Sequence, residues 1–286
     1  MCGRYALSRD VSQLQLAFGF SEPPDTAART GPSTWPPVEE LAPDYNISPG
    51  KHVYAVLGHP PAAAGPRRLG PQHLVTLRWG LVPSWAKDPN VGYRMINARS
   101  ETVAEKPAFR DAFARRRCLI PADAYYEWQL LTVDGPGGAR PGTSPATDPD
   151  HKARKAKAGK RPFAVHYGGG RPLALAGIFE RWRNPELPGQ DPAAWLWSVA
   201  VITAEAEAGL ARIHERMPVV VGEHDWETWL DADAGQAELQ EVLAATPVTD
   251  LTAYEVDDAV NTIRNNGPDL LAPRTAETST GPDTLF

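Results

Sequence analysis

Four short stretches of this sequence carry residues whose types and spacing can do chemistry. The first is MCGRYAL, at the start of the chain, and its Cys2 is one of only two cysteines in 286 residues. Removal of Met1 would leave Cys2 with a free α-amine and a thiol on adjacent carbons. No internal residue offers that pair of nucleophiles. The second and third stretches are NAR, with Asn97 two residues before Arg99, and HER, with His214 two before Arg216. On an extended segment, residues i and i+2 project to the same side. Each triplet therefore aims one small polar or titratable group and one guanidinium at a common face. Spacing alone fits two unrelated solvated strand ends better than a shared site. The fourth stretch is AYYEW, in which a strand would put Tyr125 and Glu127 on one face and Tyr126 and Trp128 on the other. A carboxylate among aromatic rings loses hydration, so its pKa rises, and that suits proton transfer. An edge-strand glutamate in water fits the same spacing equally well.

Other chemistries fail on spacing. HERMP is not a zinc-protease helix, because residue 218 is proline where the second histidine ligand belongs. The sequence has no CxxC pair, no G-x-S-x-G elbow and no phosphate-binding P-loop. No metal and no cofactor is expected. Cys118, in RRRCLIPAD, reads as a small apolar residue of a buried strand.

The elements that must position these residues follow from the apolar pattern. SRDVSQLQLAFGF reads as an amphipathic helix with Ser8 as N-cap and Gly19 as its stop. HVYAVL and QHLVTLRWGL read as strands. SETVAEKPAFRDAFARRR reads as a helix with Pro107 in its first turn, and CLIPADAYYEWQLL returns to strand. RPFAVHY, LALAGIFERW and AWLWSVAVIT are three more strands, the first two joined at a Gly-Gly-Gly turn. AEAEAGLARI reads as helix, HERMPVVV as strand, then come two acidic helices and a last strand, LTAYEV. Strands outnumber helices and do not alternate with them. That points to an α+β fold with a mostly antiparallel, barrel-like β core flanked by short helices. Pro-rich and polar stretches at about 21–44 and 132–160 read as insertions in a single domain spanning 2–273, and 274–286 as a disordered tail. The second insertion ends in the basic run HKARKAKAGKR.

Hydrophobic residues make up 42% of the chain and the net charge is -6, so any nucleic acid must meet a local basic patch. No stretch reads as a signal peptide or a membrane span. A cytoplasmic protein is expected, with its thiols reduced and the monomer as the default state.

Nine motifs in order carry a resemblance: MCGRYAL, YNISPG, LRWGLVPSWAKD, MINARSETV, FRDAFARRRCLIPADAYYEW, LALAGIFERW, VITAEA, IHERMPVVV and VNTIRNN. Together they resemble the SRAP family, the SOS-response-associated peptidases or abasic-site processing proteins. The resemblance runs from Cys2 to about Pro273 and skips the insertions around Thr30 and Ala146. It implies a sensor of abasic sites in single-stranded DNA that bonds covalently to them as part of the DNA damage response. It implies Cys2 as the reactive residue, with Asn97, Glu127 and His214 completing the active site. Arg4, Arg99 and Arg216, with Trp85 and Trp128, would line the DNA path. Self-processing and some lyase activity are also associated with the family. The expected product is a thiazolidine, formed when the Cys2 amine and thiol close on the abasic aldehyde.

Two other readings share features of the sequence. An N-terminal-nucleophile amidohydrolase or peptidase would use the same exposed cysteine on an amide. A non-catalytic single-strand binding module would need neither the amine nor the thiol.

Overall fold

A computed structural model describes residues 2–20, 38–58, 72–131, 159–245 and 250–274. Most of the first expected insertion (21–37), nearly all of the second (132–158) and the tail from 275 onward lie outside the described residues, and with them most of the basic run.

The strands form two sheets. β3 (His52–Leu57), β4 (His73–Trp79), β6 (Arg117–Ala122), β9 (Leu173–Arg183) and β10 (Trp195–Glu205) hydrogen-bond in the order β10-β4-β3-β6-β9. β9 then pairs back onto β10, which closes a five-stranded barrel. Its pairings are antiparallel except β10 with β4. Long apolar runs suit strands buried on both faces, and β3 is buried from Val53 to Leu57. Cys118 and Gly177 are partners across β6 and β9. A Cβ on Gly177 would lie 2.6 Å from the Cys118 sulfur, so the thiol fills the space that the glycine leaves. Cys118 is packing, as its apolar neighbours suggest.

The second sheet is antiparallel throughout: β12 (Leu251–Glu255), β8 (Lys160–Tyr167), β7 (Ala124–Leu130), β1 (Tyr5–Leu7) and β2 (Asp44–Ile47). Two short strands flank β10: β5 (Asn97–Arg99), parallel to it, and β11 (Arg216–Pro218), antiparallel. The expected fold class is the observed one, an antiparallel barrel-like core with short helices.

Several local expectations need correction. The run from Cys118 to Leu131 is not one strand. It breaks at Asp123 and sends β6 to the barrel and β7 to the other sheet. The Asp123 carboxylate accepts the Ser8 amide and hydroxyl at 2.7 and 2.8 Å and Arg9 Nε at 2.7 Å. Ser8 is therefore engaged there and does not cap α1 (Val11–Phe18). Asp10 is the cap, in a reciprocal box with Gln13, and Gly19 ends the helix at φ 67°. The helix expected over 100–117 is only α2 (Arg110–Arg115). Its front half is turns, entered where the Ser100 N–H donates to Thr203 O and ties the chain to β10. α3 (Ala208–Ala211) is likewise a single turn. The acidic helices are α4 (Trp226–Leu230) and α5 (Gln236–Ala244). β8 and β9 do meet at the glycine turn, but they run into different sheets.

The second sheet carries different packing on its two faces. Cys2, Tyr5, Tyr125, Phe163 and Val165 join the large barrel core. Ala6, Ala124, Tyr126 and Ala164 pack instead with Val256, Val260 and Leu270 from the C-terminal segment. A buried asparagine fastens that segment. Asn46 Nδ2 faces the carbonyls of Val260, Thr262 and Asn265 at 3.0–3.3 Å, and Tyr45 N–H donates to Asn266 Oδ1. The YNISPG and VNTIRNN motifs thus interlock across more than two hundred residues.

Candidate active site

Cys2 precedes β1 and is fully buried. β5 brings Asn97 to it, and Asn97 Nδ2 donates to the Cys2 carbonyl at 2.8 Å. The other amide atom, Asn97 Oδ1, is buried with no hydrogen-bond partner among the described residues. β7 lies antiparallel to β1, with Tyr5 opposite Tyr125, and this puts Glu127 on the Cys2 side of the sheet. Glu127 is buried. Burial pushes its carboxyl above the usual carboxylate range. Burial also holds the Cys2 thiol well above its ordinary value, and the Glu127 charge adds to that. The Arg4 backbone amide, hydrogen-bonded to the sulfur, works in the opposite sense.

His214 sits in the turn before β11. The Arg216 N–H donates to His214 Nδ1 at 2.9 Å. A backbone amide can only donate, so Nδ1 is the acceptor and the neutral ring carries its proton on Nε2. Nε2–H is then the donor that the ring offers.

The two triplets are not unrelated strand ends. Asn97 and Arg99 lie opposite Val201 and Thr203 on one edge of β10, and Arg216 lies opposite Glu205 on its other pairing. They meet at Thr203, whose carbonyl accepts Arg216 Nη2 at 2.6 Å and whose hydroxyl reaches Ala98 O. Arg216 also makes a two-pronged ion pair with half-exposed Glu101. Arg99 is exposed. Glu101 and Thr203 are additions that residue types and spacing do not single out. Glu101 lies two residues beyond Arg99, but its pairing with Arg216 is visible only once β10 stands between them.

Arg4 and Trp128 occupy the opposite face of β7. The Arg4 guanidinium donates to Asn46 Oδ1 and Val260 O at 2.7 and 2.8 Å and lies 5.6 Å from the Trp128 ring centroid. Trp128 Nε1 donates to Asn261 Oδ1 at 2.6 Å. Trp85 is elsewhere, 64% exposed in the turn after β4. The structure therefore gathers Cys2, Asn97, Glu127 and His214, sets Arg99 and Arg216 along the adjoining edge, and turns the Arg4 and Trp128 side chains to the opposite face of β7.

Comparison with known proteins identifies the family of the chain. A sequence model of the SOS response associated peptidase family (SRAP) matches residues 1–263. The chain is 32% identical over 272 residues to the abasic site processing protein YoqW of Bacillus subtilis, covering 95% of this chain and 99% of that one. It is 32% identical to the mouse abasic site processing protein HMCES, covering 96% of this chain and 76% of the relative. Among solved structures, a Bacteroides thetaiotaomicron protein superimposes with a TM-score of 0.68 at 18% identity, covering 96% of this chain and all of that one. The buried cysteine at position 2 thus sits in a fold and a sequence context that agree, and the chain belongs to the SOS response associated peptidase family.

Proposed function

We propose that this chain processes abasic sites in single-stranded DNA by bonding to them through Cys2. One observation carries the reading: Cys2, its carbonyl clamped by Asn97, lies in the buried cluster that Glu127 and His214 complete. The names of the curated relatives support it.

The chemistry starts once Met1 has been removed. A deoxyribose without its base opens to an aldehyde at C1′. The Cys2 amine, with an ordinary pKa of about 7.7–8.0, keeps a neutral, nucleophilic fraction of roughly a tenth near pH 7, far more than a lysine does. It adds to C1′, water leaves, and an imine forms. The thiol then adds to the same carbon. The S–C bond forms, the C=N electron pair returns to nitrogen, and the thiol proton ends on that nitrogen. The product is a five-membered thiazolidine, with one water released in all. Ring closure is intramolecular and gains the effective concentration of a tethered group. A lysine imine has no such second nucleophile and proceeds to strand cleavage instead. With Met1 still attached, burial holds the thiol above its ordinary value.

Glu127 takes the thiol proton and passes it to nitrogen. His214 Nε2–H hydrogen-bonds the sugar oxygen as the ring opens. Asn97 fixes the Cys2 main chain and so aims the amine. Arg99 and Arg216 hold phosphates, and Trp85 stacks on unpaired bases. Arg4 stacked on Trp128 extends that cationic, aromatic surface on the other face of β7.

The test is a denaturing gel. Mature protein is mixed with single-stranded DNA carrying one abasic site, beside intact DNA and a Cys2→Ala variant. The expected result is a heat-stable shifted band with wild type and abasic DNA only. No band from protein shown by mass spectrometry to lack Met1 would reject covalent capture, and glutamine turnover would then test the amidohydrolase.

A further inference from the structure

Two phenols beside Cys2 have no task in the steps above. Tyr5 and Tyr125 are directly opposed across the β1–β7 pair, and Glu127 follows two residues along the same face. They are 0% and 1% exposed. Both pack in the same apolar cluster as Cys2. Neither hydroxyl has a hydrogen-bond partner among the described residues. A buried hydroxyl without a partner is uncommon in folded proteins and calls for a reason. The fold does satisfy such groups nearby: Tyr126 Oη donates to Tyr45 O at 2.8 Å. After burial itself, Cys2 is the ionisable group that weighs most on both phenols. Charge on the sulfur is therefore felt at both hydroxyls.

We propose that the Tyr5 and Tyr125 hydroxyls are hydrogen-bond donors for the Cys2 sulfur, engaged as its proton leaves during thiazolidine closure. This rests on the covalent reading above and adds a step-specific role to it. The S–H proton passes to the Glu127 carboxylate. The sulfur lone pair forms the bond to C1′, the C=N pair moves to nitrogen, and the proton follows to nitrogen. The phenols give up no proton, and burial keeps both in the neutral donor form. With the Arg4 amide they offer the developing negative charge three donors. Amine addition and loss of water precede that charge and do not need them.

The experiment separates the two steps. Processed wild type and the double variant Tyr5→Phe, Tyr125→Phe react with single-stranded DNA carrying one abasic site. Borohydride trapping reads the imine, and a heat-stable band formed without reductant reads the closed ring. The double variant should trap imine at the wild-type rate and close the ring about 10- to 100-fold more slowly, the range for losing hydrogen bonds to a charged acceptor. It should melt no lower than wild type, since the deleted hydroxyls bond to nothing among the described residues. If it does melt lower, the two single variants carry the test, each expected to slow closure with imine trapping intact. Ring closure at the wild-type rate would make the phenols idle packing and overturn the proposal. Equal loss of trapping and closure would assign them to the amine step and also overturn it. Wild type that gives neither band rejects the covalent reading itself, a failure distinct from these.

Discussion

The two faces of β7 are built from the same kinds of residue and treat polar atoms in opposite ways. On the face toward the C-terminal segment, the polar side chains find partners. Tyr126 bonds Tyr45 O, Trp128 bonds Asn261, and Arg4 bonds Asn46 and Val260 O while it stacks on Trp128. On the face toward Cys2, two phenol hydroxyls and the Asn97 carbonyl oxygen lack partners among the described residues, and a carboxyl group is buried with its pKa pushed up. Satisfied polar groups stabilise a fold, whereas unsatisfied ones cost stability. Concentrated around one nucleophile, they are the donors and acceptors that a substrate completes. Partnering thus tells the scaffold face of a strand from its site face, even when both alternate in one five-residue motif.

Glu127 puts this contrast to its hardest test. As acceptor of the thiol proton it must be a carboxylate. Its carboxyl is raised by burial, so the rate of cross-linking should climb with pH along a limb displaced above the ordinary carboxylate range. Glu127→Gln should cut the rate about 100-fold or more and abolish that limb. Stability should move the other way. A carboxyl whose folded pKa lies above its unfolded value binds more protons when folded. Its stability contribution is full below the unfolded pKa and is lost as pH rises through the folded one. Glu127→Gln should therefore melt above wild type near pH 7, with the gap closing as pH falls through the raised folded value and gone once pH is below the usual carboxylate range. Rate–pH profiles and melting curves on the same two proteins decide it. A variant that is slow but melts lower would make Glu127 part of the scaffold.

A second test makes one chemical change at adjacent residues. Tyr126→Phe deletes a hydroxyl that Tyr45 O uses and should cost about 1 kcal/mol. Tyr125→Phe deletes one that bonds to nothing among the described residues and should cost nothing or stabilise. Urea midpoints of the two variants read the difference directly, and equal losses would erase the distinction between the faces.

Much of this arrangement is legible in the sequence itself. Period-two alternation in AYYEW assigns Glu127 and Trp128 to opposite faces, and the apolar run of AWLWSVAVIT, interrupted only by Ser198, marks the central strand β10. What the sequence hides is non-local. Barrel closure depends on β9 and β4 both finding β10, and no local pattern encodes that. The NAR and HER triplets look unrelated because the strand that joins them, at Thr203, belongs to neither. Phe109 and Phe113 have helical spacing, which points to a helix over 100–117. Only Arg110–Arg115 is helical, and the residues before it are turns that begin where Ser100 bonds β10. The Asn46 clasp and the unpartnered phenols are facts about distant atoms, and the sequence shows only their residue types.

A weaker effect is expected at the edge of the site. Arg216 is shared between Thr203 O and Glu101, and the arginine holds the Glu101 carboxyl below its usual range, so the pair stays charged at neutral pH. If Arg216 receives a DNA phosphate, Glu101 competes with that phosphate for the same guanidinium. Glu101→Gln would weaken the competitor, and the bond to Thr203 O would still hold the arginine in place. Exposed pairs of this kind contribute about 0.2–1 kcal/mol. Affinity for intact single-stranded DNA should therefore rise no more than about fivefold, and the gain should shrink as salt screens it. The measurement is a salt titration of binding with Cys2→Ala protein, which isolates binding from bond formation. An affinity that is unchanged at low salt would place the phosphates away from Arg216 and leave Arg99, exposed on the neighbouring strand, as the cation of that edge.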